Sequence, residues 1–250
     1  MFQEIIIPPS MVDEEWFKYN DYYSKSRIGS YDFCQLQFKK QYVDKTLKVE
    51  PNHVMSYGTR FHEFAEAFVQ MAPKYPVEKW HKFVHDSYTE EEKVGLHWFI
   101  DEHAKIYKDI NILACEYKCA DHTNKLRGAI DRIDQVKDNT IRIIEYKTSA
   151  SFKEKKLMFE FGFYKVLLKN QPWTKDLDFE YCVINPRIRE IHHMKPSRDK
   201  TILDHIAKAN ESIKTGNFKP KCTNNYKMDC DICTPEELLL YGVGEFCNGE

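Results

Sequence analysis

The stretch LRGAIDRIDQVKDNTIRIIEYKT, residues 126–148, decides the fold. It divides into two β-rich alternating runs, 126–136 and 140–147, separated by the turn-forming residues Lys137, Asp138 and Asn139. Side chains on a strand alternate with a period of two. Ile141, Ile143, Glu145 and Lys147 therefore share one face, and an apolar row ends in a carboxylate and an ammonium. With Asp138 at the middle of a three-residue turn, Asp131 lies seven residues before it and Glu145 seven after, so the two are directly opposed. Opposed residues have Cβ atoms about 4.5–5.5 Å apart, where like charges repel. Three arrangements offset that repulsion: one carboxylate is protonated, a cation stands beside the pair, or a divalent metal sits between them. Oxygen-rich sites with open positions suit Mg2+ or Mn2+. Lys147, on the same face, can neutralise the pair and orient or deprotonate a water. Glu-x-Lys also occurs at Glu91–Lys93, Glu116–Lys118 and Glu154–Lys156, so the spacing alone means little. The Glu145 copy is set apart by its apolar strand, by Asp131 across the turn and by Gly128, which lets another element come close.

Outward from this hairpin, residues 112–120 alternate like a further strand. Downstream come a helix over 152–170, an aromatic strand near 179–184, a turn at Asn185-Pro186, a short strand within 188–194 and a helix over 199–215. The N-terminal part reads as helical. Ser30 is the expected N-cap of a helix over 30–42. A second helix follows Tyr57-Gly58-Thr59, with Phe61, Phe64, Ala65, Phe68, Val69 and Ala72 on one face and Pro73 and Pro76 ending it. Two more helices fall within 78–108. Helices, then a meandering sheet, then a crossover helix and strand predict an α/β or α+β core with a helical flank. The expected organisation is one domain: 1–110 mainly helical, 111–200 the sheet core, and 201–250 a C-terminal helix and cysteine-containing tail.

Composition bounds the function. The chain has 250 residues, with 42% hydrophobic and 14% aromatic residues, enough to bury a core and to exclude disorder for its bulk. No apolar run reaches the roughly 18–20 residues of a membrane span, and residues 1–10 lack a signal-peptide pattern. A soluble cytoplasmic protein without a membrane partner is expected. Lys+Arg 37 against Asp+Glu 39 gives a formal net charge of −2, so nucleic acid would have to be held by local patches. Two such patches are present, Lys214, Lys219, Lys221 and Lys227, and Arg187, Arg189, Lys195, Arg198 and Lys200; Phe218 and Tyr226 are available to stack on unpaired bases. In a reducing compartment the 8 cysteines point to metal binding, catalysis or packing before disulfides. Cys115, Cys119 and Cys182 lie on strand-like segments and read as small core residues.

The run Gly-x-Ile-Asp-Arg-Ile-Asp from Gly128 to Asp134, a short turn, and Ile-Ile-Glu-Tyr-Lys-Thr from Ile143 to Thr148 together resemble the core motif of the PD-(D/E)XK nuclease superfamily in its RecB-like branch. That branch includes the RecB and AddB nuclease domains, CRISPR-associated iron-sulfur nucleases and phage exonucleases. Residues 30–42 resemble the opening helix of the branch with its cysteine, and Gly58 to His62 its Gly-x-x-x-His element. Glu116 stands where an acidic residue often precedes the hairpin, and Tyr164 matches the tyrosine of the following helix. The resemblance implies an α/β fold with a restriction-endonuclease-like core, a mixed central sheet flanked by helices. It also implies that His62, Asp131, Glu145 and the backbone carbonyl of Tyr146 bind Mg2+ or Mn2+, with Lys147 positioning the attacking water. Glu116 is an expected outer residue of that site. The branch usually carries Gln four residues before the tyrosine, where this chain has Glu160; a carboxylate there repels a phosphate unless it bonds Tyr164 or a lysine. Tyr164 itself reads equally as a core residue and as part of the site.

Relatives in the branch hold a four-iron iron-sulfur cluster with one early and three late cysteines, an order matched here by Cys34, Cys222, Cys230 and Cys233. The tail spacing differs, since Cys222 precedes the Cys-x-x-Cys pair. A 4Fe-4S cluster, a tetrahedral zinc and no metal all stay open. The expected function is a metal-dependent DNA nuclease, an exonuclease acting on single strands or ends. Its setting would be recombination, replication or repair in a bacterial or phage-infected cell, with other proteins of those processes as partners. The alternatives are a structure-specific endonuclease of the same superfamily and a catalytically idle nucleic-acid-binding scaffold.

Overall fold

In the computed structural model, which describes residues 4–13, 15–47 and 53–220, the hairpin 126–146 is the centre of a five-stranded sheet. The strands are β1 (Asn111–Asp121), β2 (Leu126–Lys137), β3 (Thr140–Tyr146), β4 (Asp178–Asn185) and β5 (Glu190–His193), in the order β1-β2-β3-β4-β5. All neighbours are antiparallel except β3 and β4, which are parallel. A parallel step needs a crossover, here supplied by helix α5 (Glu154–Lys169), numbered after α1 to α4 given below. The mixed sheet with flanking helices bears out the expected α/β, restriction-endonuclease-like core.

The β2–β3 turn is tighter than expected. Asp138 and Asn139 alone connect the strands, closing on the pair Lys137↔Thr140. A bulge between Gln135 and Lys137 inserts the extra residue, and above it the ladder runs Gln135↔Ile141 to Arg132↔Ile144. The next step of that ladder sets Asp131 opposite Glu145. A shorter turn and a bulge thus give the register that a three-residue turn would have given.

The chain divides into two compact units: residues 1–22 with 51–199, and residues 23–50 with 200–250. In the first, α3 (His53–Met71) and α4 (Glu90–Ile106) bury Phe61, Phe64, Phe68, Leu96, Phe99 and Ile100 together with Ile144 and Tyr146 of β3. Burying each such side chain is worth about 1.5–3 kcal/mol. Thr89 opens α4 with a capping box closed by Glu92. α5 covers the other face with Phe161, Tyr164, Leu167 and Leu168, all fully buried. A Cβ on Gly128 would stand 3.0 Å from Leu167, so glycine is what lets α5 sit this close to β2. α3 begins at His53 and runs through Gly58, earlier than the sequence pattern suggests. Cys119 and Cys182 are buried and Cys115 packs against the core, as expected of small apolar residues.

In the second unit, α1 (Lys25–Phe33), α2 (Gln35–Phe38) and α6 (Asp199–Thr215) bury Ile28, Tyr31, Phe38, Ile202, Ile206 and Phe218. Here the expected single helix over 30–42 is corrected. Ser24, rather than Ser30, is the N-cap, accepting the Arg27 N–H at 3.2 Å, and the chain leaves the helix at Cys34, where φ is −158°. Starting at Lys25 carries Ile28 as well as Tyr31 into the helix, and both are buried in this unit. Phe218 is 1% exposed beside Phe38, so it has no face free for a base. Among the described residues, no helix is long and apolar enough to cross a membrane.

Candidate active site

The residues expected to act together converge on one cleft of about 720 Å³ in the first unit, lined by Gly58, His62, Glu116, Glu145, Tyr146 and Lys147 among others. β2 supplies Asp131, β3 supplies Glu145, and α3 brings His62. A Cβ on Gly58 would meet the Thr148 hydroxyl at 3.2 Å, so a glycine there keeps α3 close to the end of β3, one turn from His62. Asp131 is 6% exposed and its Oδ2 accepts the Tyr146 N–H at 2.7 Å, which locks the carboxylate across the ladder.

Glu116 is turned toward the same point by its backbone. Its φ of +48° is left-handed, a conformation of roughly 1–3 kcal/mol cost for a residue with a side chain in mid-strand. The pleat changes phase there. Cys115 packs against the α3–α4 core, whereas Tyr117, of the same parity, meets Trp173 and the Met11 carbonyl. On β2, Gly128 faces α5 while Arg132, again of the same parity, reaches His103 of α4 at 3.5 Å.

As a result His62 Nδ1 lies 3.5 Å from Glu116 Oε1 and 3.6 Å from Asp131 Oδ1, and the three residues can offer ligand atoms within 4.8 Å of one another. Neighbouring ligands on an octahedral ion with bonds of about 2.0–2.1 Å lie about 3 Å apart, so small side-chain shifts would close this set around Mg2+ or Mn2+. The two hard carboxylates suit either ion, while the imidazole is a softer donor that favours Mn2+ over Mg2+. Burial works against a charge on His62, but the Glu116 hydrogen bond and the Asp131 and Glu145 carboxylates outweigh it and raise its pKa.

Glu145, 2% exposed, is held from two sides: Lys147 Nζ donates to Oε1 at 2.6 Å and the Tyr164 hydroxyl lies 2.7 Å from Oε2. Burial, with Glu145 and Asp131 beside it, holds the Tyr164 phenol well above its ordinary pKa, so the hydroxyl remains a donor. It also lies 3.1 Å from the Ala129 carbonyl. Tyr164 is fully buried, in contact both with the core and with Glu145. Lys147 Nζ also lies 2.7 Å from Glu160 Oε2, the lysine partner that a carboxylate at this position requires. Burial disfavours the ammonium, but Glu145 and Glu160 overcome this and raise its pKa.

Of the four candidate cysteine ligands, Cys34 is buried, while Cys222, Cys230 and Cys233 lie outside the described residues, as do Lys221, Tyr226 and Lys227. In the second basic patch Arg187 is paired with Glu91 at 3.5 Å. Glu63 and Glu66 also line the cleft. Sequence reading missed both, although Glu66 follows His62 by one helical turn, which was the available signal.

A model of the PD-(D/E)XK nuclease superfamily matches residues 22–237. The crystal structure of a candidate exonuclease from Eubacterium rectale is similar over 90% of this chain and 96% of that one, at 10% identity and a TM-score of 0.54, a likeness of fold. That of SSO0001 covers 75% of this chain and 87% of that one at 15% identity, with a TM-score of 0.28, too low to carry an argument. No curated protein matches the chain.

Proposed function

The chain belongs to the PD-(D/E)XK nuclease superfamily, and from that premise we propose that it is a Mg2+- or Mn2+-dependent deoxyribonuclease of the RecB-like branch. It acts as an exonuclease on single strands or ends during recombination, replication or repair. The observation that carries this reading is the meeting of Asp131 with His62 and Glu116 at an open cleft that Glu145 and Lys147 also line. The superfamily match spans both compact units, which supports reading them as one nuclease domain. The exonuclease mode follows the resemblance to the RecB-like branch and the description of the Eubacterium rectale neighbour.

Asp131, Glu145, His62 and the Tyr146 carbonyl would hold the divalent ion, with the Glu116 carboxylate in reach as a further ligand. The ion supplies Lewis acidity toward the phosphate and a nucleophile at neutral pH. The protein's part is to place the groups. Asp131 is fixed by the Tyr146 N–H and Glu145 by Tyr164, so neither carboxylate has to be ordered when substrate arrives. Lys147, kept charged by its carboxylates, orients the water and stabilises negative charge developing on the phosphate. Cys34, Cys222, Cys230 and Cys233 are assigned to a structural 4Fe-4S cluster, which absorbance near 400 nm in anaerobically purified protein tests; a colourless protein containing zinc, or none, overturns it.

End-labelled single-stranded, duplex and circular DNA incubated with the protein and Mn2+ or Mg2+ decides the activity. Linear DNA should be degraded and circular DNA spared, and EDTA should stop the reaction. Cutting of circles would select the endonuclease, and no cutting by the wild type, or full cutting by Asp131→Ala, would remove the assignment.

A further inference from the structure

Lys147 is shared. Its Nζ lies 2.6 Å from Glu145 Oε1 and 2.7 Å from Glu160 Oε2, and its side chain is 24% exposed, too sheltered for water to replace a lost counter-ion freely. Glu145 has Lys147 on one oxygen and Tyr164 on the other, so a cation drawing on either oxygen competes with a donor that already shares its charge. Tyr164 has a second acceptor in the Ala129 carbonyl at 3.1 Å, and Lys147 has a second counter-ion in Glu160, whose Oε2 has no hydrogen-bond partner of its own among the described residues. Glu160 and Tyr164 stand one turn apart on α5, so one helix face supplies partners to both Lys147 and Glu145. Glu160 is itself 6% exposed, and its remaining cation, Lys156, is distant at 3.9 Å and 69% exposed, leaving Oε2 to Lys147.

We propose that Glu160 is a positioning residue, a second seat for the Lys147 ammonium that draws it off Glu145 and so frees Glu145 for a divalent cation. This rests on the metal-site reading above. A glutamine at 160 keeps an acceptor oxygen but no charge. Lys147 would then hold Glu145 more tightly and compete with the ion. The competition exists only while Lys147 is present, which separates this role from the general attraction of any nearby carboxylate for a cation.

The test is a double-mutant cycle on the full chain, with Mn2+ binding measured by calorimetry and folding checked by thermal melts. Glu160→Gln should weaken Mn2+ binding about tenfold, the scale of an outer-residue effect on a metal site. In a Lys147→Met background the same substitution should change it less than about twofold. Unchanged binding in the single variant, or equal weakening in both backgrounds, would overturn the proposal. Wild-type protein whose Mn2+ binding is absent, or survives Asp131→Ala, would instead overturn the metal site and this inference with it.

Discussion

Two carboxylate–cation assemblies sit three residues apart on β2, and they differ in how they are closed. Asp134 is fully buried and takes a bidentate pair from Arg132 at 2.7 and 2.8 Å, with His103 against the guanidinium. Both oxygens of Asp134 are met by Arg132 there, although His103 Nε2 and the Tyr146 hydroxyl have no hydrogen-bond partner among the described residues. Around Asp131, by contrast, Lys147 stands beside Glu145 and Glu160 while the His62 imidazole stands beside Glu116 and Asp131, with a strained backbone at Glu116 and an open cleft beside them. The closed pair, both of whose members stand on β2, neutralises itself. The open set carries negative charge that it does not compensate itself, which is the condition for taking up a cation.

The comparison is broken most severely on the closed side. Arg132→Met leaves Asp134 buried without its partner and should cost about 3–5 kcal/mol in denaturant unfolding; a loss below about 1 kcal/mol would mean the pair is not structural. On the open side the signs reverse. Asp131→Asn should reduce DNA cleavage about a thousandfold, equivalent to about 4 kcal/mol of barrier. The melting temperature should hold or rise, because a repelling charge is removed.

The closed assembly has a pH limit. Burial, then Arg132, lower the His103 pKa from 6.5 to about 3. The unfolded chain therefore binds the extra proton between those values, so this stabilisation is complete above about pH 6.5 and is lost as pH falls toward 3. The slope reaches about 1.4 kcal/mol per pH unit. Unfolding free energies from pH 7 to 5 should show it in the wild type and not in His103→Gln; parallel curves would refute it. The smallest effect is expected for Tyr164→Phe, which frees one side of Glu145. Cleavage should fall about tenfold with little change in Mn2+ stoichiometry, measured by initial rates on labelled single strands.

Much of the centre was legible before any coordinates. The hairpin partners are 14 residues apart in sequence, so a period-2 pattern and a turn are enough to set Asp131 against Glu145, even though the turn itself differed. The apolar face of α3 was legible for the same reason. Errors arose where two local signals were equally good: Ser24 and Ser30 are both acceptable caps, and burial of Ile28 and Tyr31 accompanies the choice of the first. Phe218 looked like a stacking residue because its neighbours are basic, and only packing against Phe38 removed it from the surface.

The sequence by itself determined the strand pair, its register and the residues it carries, because those depend on steps of one or two residues along the chain. Only the tertiary structure decided that His62 meets Glu116 and Asp131, that Glu116 adopts a left-handed backbone to do so, and that Glu160 shares Lys147 with Glu145. Those contacts join α3 to β1 and β2, and β3 to α5, across long spans of chain. They form only when two helices are packed against opposite faces of one sheet, an arrangement driven by apolar burial that no local spacing encodes.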